Sequence, residues 1–70
     1  MGDYQERVVD EKAALDTKIN NLEEFVDSTL YQTLKYFDQR LLNDQLEIMK
    51  NYSDVLGLRI FAFKQAANEV

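Results

Sequence analysis

The groups with chemistry to offer lie at the two ends of the chain: Tyr4, Arg7 and Lys12 at one, and Arg59, Phe61, Phe63 and Lys64 at the other. Aromatic faces stack on nucleobases, at about 1–3 kcal/mol per base. Guanidinium forks pair bidentately with phosphate oxygens. A helix that begins near Tyr4 adds unpaired backbone N–H groups and a positive dipole end. Brought together, this set suits a small nucleotide. Each member also has a plainer role. Arg7 could pair with Asp3 or Glu11 on its own helix, Arg59 with Glu11 across the fold, and Tyr4 could sit on a fraying end. Catalysis has little to draw on. The absence of His and Cys removes the usual general base, thiol nucleophile and imidazole ligand. The carboxylate pairs Asp10-Glu11 and Glu23-Glu24 are adjacent in sequence, so they diverge on a helix. No catalytic residue, metal ligand or cofactor is assigned.

Charge narrows the partners. Thirteen acidic and eight basic residues give a net charge of −5. That opposes binding to DNA or RNA polymers, which takes a basic face. It does not oppose a small anion held by a few local cations. The first residues show no basic segment leading into an apolar one, and no apolar run approaches the roughly 18–20 residues of a membrane span. The expectation is a soluble intracellular protein.

Seventy residues make one small domain, 1–70, in which hydrophobic gain and conformational entropy nearly cancel. Disulfides and Cys/His zinc sites are excluded as staples. Self-association is the common one that remains.

Helical periodicity positions the candidate residues. A first helix is predicted over 4–26, with Val8, Leu15, Ile19, Leu22 and Val26 on one face, Phe25 beside them and the stem of Lys12 filling the stripe. Asp3 is its predicted N-cap, with Glu6 as capping-box partner. Asp27-Ser28-Thr29 breaks the rhythm. A connector over 27–37 holds one helical turn, with Leu30, Leu34 and Phe37 capping the end of a hairpin and Tyr31 nearby. A second helix is predicted over 38–66, N-capped by Asp38. Its expected inner row is Leu42, Gln45, Met49, Tyr52, Leu56, Arg59 and Phe63, flanked by Leu41, Ile48, Val55 and Ala62. Tyr52 reads as core, its hydroxyl reaching a polar neighbour. The fold class is therefore all-α: an antiparallel two-helix hairpin with a short helical connector.

The segment 55–63 departs from this simplicity. It is apolar on nearly every side and holds one charge, Arg59, inside the stripe. A hairpin helix needs one apolar face. Leu58, Phe61 and Phe63 are therefore expected at an oligomer interface. Antiparallel pairing sets opposite each other residues whose numbers sum to roughly 65, which puts Arg7 near Leu58 and Arg59, and Val8 near Gly57. A glycine in mid-helix costs about 1 kcal/mol relative to Ala. A close helix crossing at Val8 would account for it. The alternative function for such an apolar band is a small interaction module docking on another protein.

Two segments carry a family resemblance. Tyr4-Gln5-Glu6-Arg7-Val8-Val9-Asp10-Glu11-Lys12, followed by Leu15, Lys18-Ile19, Leu22 and Phe25, resembles the opening of small phage inhibitors of the CBASS and Thoeris immune systems. Gln45-Leu46, Met49, Tyr52-Ser53, Val55-Leu56, Arg59-Ile60 and Phe63 resemble their second half. The resemblance implies a helical hairpin that assembles as an oligomer, hexameric in characterised members. Such proteins enclose cyclic nucleotide signals between subunits without cleaving them, in the cytoplasm of the infected bacterium. Members that capture the Thoeris signal carry a further C-terminal region, whereas this sequence ends at Val70. The expected ligand is therefore a cyclic di- or trinucleotide. In dinucleotide-binding members an N-terminal Tyr and a later Lys of the first helix touch the ligand, positions that Tyr4 and Lys18 occupy here. Arg7 and Arg59 join them as candidate phosphate contacts from the reading of the residues.

Overall fold

Three helices form in chain order: α1 (Asp3–Val26), α2 (Thr29–Gln32) and α3 (Tyr36–Asn68). The computed structural model describes the backbone of residues 3–68 and the side chains of residues 4–66. Within that range α1 and α3 lie against each other as a rod of 55 × 15 × 15 Å, and no strand forms among the described residues. The predicted N-cap side chain of Asp3 lies outside the described residues.

The chain turns where the sequence offers the backbone local partners. Ser28 adopts φ −87°, ψ 161° and N-caps α2. Its hydroxyl donates to the Phe25 carbonyl at 2.6 Å and accepts from the Tyr31 N–H at 3.3 Å. This satisfies groups on both sides of the break. The single turn predicted in the connector is α2. Its buried face differs from expectation, because Leu30 and Phe37 are exposed and Tyr31 closes the hairpin end. The Tyr31 ring meets Phe25 edge-on at 6.2 Å. Its hydroxyl donates to the Gln39 carbonyl at 3.3 Å and accepts from the Asn43 amide at 2.7 Å, while the Gln39 side chain donates to the Tyr31 carbonyl at 2.9 Å. A phenol can fill a closed end and satisfy backbone groups there, which Leu or Phe cannot. These bonds tie down the first turn of α3. The helix accordingly starts at Tyr36, two residues before the expected N-cap, and Asp38 lies within its first turn. A carboxylate there still complements the helix dipole.

The inner row of α3 is also corrected. Leu42, Leu46, Met49, Ser53, Leu56, Ile60 and Phe63 are buried or half-buried, at alternating steps of four and three residues. Gln45, Tyr52 and Arg59, expected in that row, are exposed. The predicted and observed rows share Leu42, Met49, Leu56 and Phe63 and differ in which flank of that line faces α1. From α1 they meet Val8, Lys12, Leu15, Ile19, Leu22 and Val26 at the same spacing. Leu56 is fully enclosed, with Val8 and Ile19 nearly so.

The chosen flank contains Ser53, which is 6% exposed and therefore needs partners. Its hydroxyl donates to Asp16 Oδ1 at 2.5 Å. Lys12 Nζ donates to Asp16 Oδ2 at 2.8 Å and to Ser53 Oγ at 3.1 Å. This closed triangle satisfies all three groups in one polar layer of the core. It also accounts for Gly57. A Cβ at that position would meet Lys12 Cε at 3.2 Å, so the glycine makes room for the lysine stem rather than for a close helix crossing at Val8. A further ion pair, Lys50 to Glu23 at 2.7 Å, lies on the exposed surface, where such pairs contribute about 0–1 kcal/mol.

Two predictions follow from this packing. Leu56→Ala removes a fully enclosed side chain and should lower unfolding free energy by about 2–5 kcal/mol in a denaturant titration read by circular dichroism. The hydrogen bond from Lys12, and then that from Ser53, hold the Asp16 carboxyl below the usual carboxylate range. A lowered folded-state value makes this contribution complete above the ordinary Asp range and lost as pH falls through the lowered value. Asp16→Asn should therefore flatten the acid limb of the stability profile, measured by thermal melts from about pH 6 to about pH 2.

Candidate functional site

One side of the hairpin carries a ladder of four exposed polar and aromatic groups. Tyr4 and Glu11 are seven residues apart on α1, and Tyr52 and Arg59 seven apart on α3. Seven residues are two helical turns, about 10 Å, so each pair lies on one stripe. Antiparallel packing sets Tyr4 opposite Arg59 and Glu11 opposite Tyr52. At the outer rung the Arg59 guanidinium lies over the Tyr4 ring, 5.8 Å from its centroid, with Nη2 3.5 Å from the Tyr4 hydroxyl. A cation over an aromatic face at this range is attracted by the ring quadrupole. Phe63 supports the ring from behind, edge-on at 5.3 Å. At the inner rung the Tyr52 hydroxyl donates to the Glu11 carboxylate.

The electrostatics follow from these neighbours. The hydrogen bond to Tyr4 raises the Arg59 pKa further, so the group stays a full cation. The hydrogen bond to Glu11, followed by burial and the Glu11 charge, pushes the Tyr52 phenol above its ordinary value. Tyr52 is 44% exposed and so is not the core residue expected, although its hydroxyl does reach a polar neighbour. The ladder offers an aromatic face, a permanent cation and a carboxylate within two helical turns. That set can stack a ring, bind an anionic oxygen and accept hydrogen bonds from a donor edge. It holds no base or nucleophile pair suited to covalent chemistry, and the described residues contain no cluster of three metal-ligating side chains.

The remaining candidates scatter. Arg7 is exposed on α1 between Tyr4 and Glu11. Lys18 is exposed fourteen residues beyond Tyr4, about 21 Å along the helix, so the hairpin does not bring the two together. Lys64 lines a different feature, a shallow groove of about 240 Å³ with Gln5, Glu6, Val9, Ile60 and Phe63. Leu58 and Phe61 are 67% and 59% exposed, whereas Phe63 is half-buried against Tyr4 within the hairpin. The residues missed in the sequence are Glu11 as a ladder member and the Lys12–Asp16–Ser53 layer. Both were detectable in principle, because Glu11 repeats Tyr4 at seven residues and Ser53 interrupts an apolar row at the same spacing.

Comparison with known proteins places this hairpin. The model of the Sequestin family matches residues 2–62. The chain belongs to the Sequestin family. It is also similar to an uncharacterized 7.5 kDa protein of the denB–rIIB intergenic region of Enterobacteria phage T4, 41% identical over 61 residues that cover 87% of this chain and 95% of the relative. No solved structure matches. The Sequestin match takes in all four ladder residues and the polar layer. No described helix is long and apolar enough to cross a membrane.

The inner rung can be tested directly. In ultraviolet titration the tyrosine lost in Tyr52→Phe should be the one that ionises above the ordinary phenol range, and Glu11→Gln should bring that step down. An unshifted step in the parent protein would count against the Glu11 contact.

Proposed function

We propose that this chain is a phage immune-evasion sponge that binds a cyclic di- or trinucleotide second messenger of bacterial defence and sequesters it without cleavage. Arg59 poised over the exposed Tyr4 ring carries the reading, since it joins a base-stacking face to a phosphate-binding cation. The family name supports a sequestering role, and the T4 relative supports a phage setting. In this reading the protein works as a homo-oligomer, a hexamer by the resemblance, in the cytoplasm of the infected host. Arg7 is a second phosphate contact. Lys18, about 21 Å from Tyr4 along the same helix, contributes to a ligand that touches Tyr4 of a different copy. Leu58 and Phe61 lie at subunit contacts.

Calorimetry against a panel of cyclic di- and trinucleotides tests this. Saturable binding is expected with at least one, which chromatography should recover unaltered. Arg59→Ala should weaken it by about 10- to 150-fold, the loss of one charge-assisted contact of about 1.5–3 kcal/mol. No heat with any member of the panel, at concentrations where the oligomer is intact, would sink the proposal.

The exposed Leu58 and Phe61 favour one other reading, a module that docks this band on a phage or host protein. In that case the panel gives no heat, and the chain stays small in solution until that protein is added.

A further inference from the structure

The flank of α3 turned away from α1 carries a second seam with coiled-coil spacing. Phe37, Leu41, Ile48 and Val55 are 71%, 50%, 66% and 51% exposed, and Leu58 extends the row. With Asp44 and Asn51 the sequence of steps is four, three, four, three, four, three, from Phe37 to Leu58. A repeat of 3.5 residues keeps one stripe facing a partner helix along its whole length. At its start Phe37, Arg40, Leu41 and Asp44 line a cavity of about 500 Å³ together with Tyr36. Positions i, i+3, i+4 and i+7 are the four corners of the hole that receives one side-chain knob of a facing helix. The occupant indicated is therefore a helix.

We infer that this outer seam is occupied by α3 of a second copy of this chain. The seam is about 30 Å long, and α3 itself supplies a helix of that reach with the same spacing. A self-complementary patch closes on itself by two-fold symmetry without further partners. Need supports the same choice. Among the described residues the hairpin fully or nearly buries only the apolar side chains of Val8, Ile19, Tyr31 and Leu56, too small a core for a short chain with no Cys or His to form a disulfide or zinc staple. The polar positions Asp44 and Asn51 serve a further purpose. Isolated polar residues in an apolar seam penalise shifted pairings and so fix register. Arg40 stands four residues before Asp44, placed to compensate its charge.

The inference rests on the self-association in the function proposed above, but not on its ligand. Sedimentation of the parent protein and of Ile48→Glu tests it, with circular dichroism to follow the helix. Ile48 is exposed in the hairpin, so the variant should keep its helicity while its mass falls to a smaller species at micromolar concentration. Leu41→Lys should do the same and serves if Ile48→Glu fails to fold. Asp54→Lys, on the exposed charged face of α3 and off the seam, should leave the mass unchanged. A monomeric parent, or folded seam variants with parental mass, would overturn the inference. Nucleotide binding by the parent is read separately. Binding with an ineffective seam substitution rejects the seam and keeps the sponge. No binding with a seam substitution that splits the oligomer rejects the sponge and keeps the seam.

Discussion

The triangle of Lys12, Asp16 and Ser53 decides how the two long helices face each other. A serine hydroxyl placed at a core position needs partners, or it loses about 1–3 kcal/mol of solvation without return. Only one side of α1 presents a lysine and an aspartate four residues apart that can meet it together. Once they do, the rotation of α3 about its axis and its register along α1 are both set. Shifting either would strand the buried Ser53 hydroxyl against apolar side chains. Gly57 belongs to the same constraint, since the lysine stem runs through the space that its missing side chain leaves.

The ladder on the hairpin side is a consequence of that choice. With Ser53 turned inward, Tyr52 and Arg59 are turned out along the flank of α3 that lies against Glu11 and Tyr4. Residues seven apart on each helix then meet as rungs, and a cation comes to rest over an aromatic ring on the surface. The same rotation exposes Leu41, Ile48 and Val55 on that flank too, with Ile48 and Val55 each one turn before Tyr52 and Arg59. One orientation of α3 therefore produces the polar layer, the candidate binding ladder and the unpartnered apolar seam together. In the proposed assembly, the excess of apolar residues on the second helix serves a second partner outside the hairpin.

Much of the architecture was legible in the residues. Val8, Ile19 and Leu22 repeat at helical spacing. Ser28 with its neighbouring Asp27 offers the backbone a competing set of bonds, and the turn falls there. The pairing rule that places Arg7 near Arg59 follows from the predicted helix bounds, and the structure sets Tyr4, one turn earlier, against Arg59. The hairpin end was not legible, because it depends on a tyrosine that makes three contacts with residues eight and twelve positions later. A hydropathy pattern assigns that role to Leu30 or Phe37. Nor was the inner row of α3. Its central line, Leu42 to Phe63, is apolar on both flanks, and the more apolar flank is the natural guess. The flank that supplies Leu46, Ser53 and Ile60 faces α1, and Gln45, Tyr52 and Arg59 are left outside.

The sequence by itself determined that the protein is a helical hairpin without the side chains for thiol or imidazole chemistry, and that its second helix carries apolar residues on more than one face. Local spacing and composition suffice for that, because helix formation and amphipathicity are read within a few turns. The tertiary structure alone decided which flank of α3 is inside, and hence that Arg59 stands over Tyr4 and that Phe37, Leu41, Ile48 and Val55 form a free seam. The physical reason is that two apolar flanks compete nearly equally for the same partner. The structure resolves the tie by turning Leu46, Ser53 and Ile60 inward, with Ser53 held by Lys12 and Asp16 from 41 and 37 positions away, a link no local pattern shows.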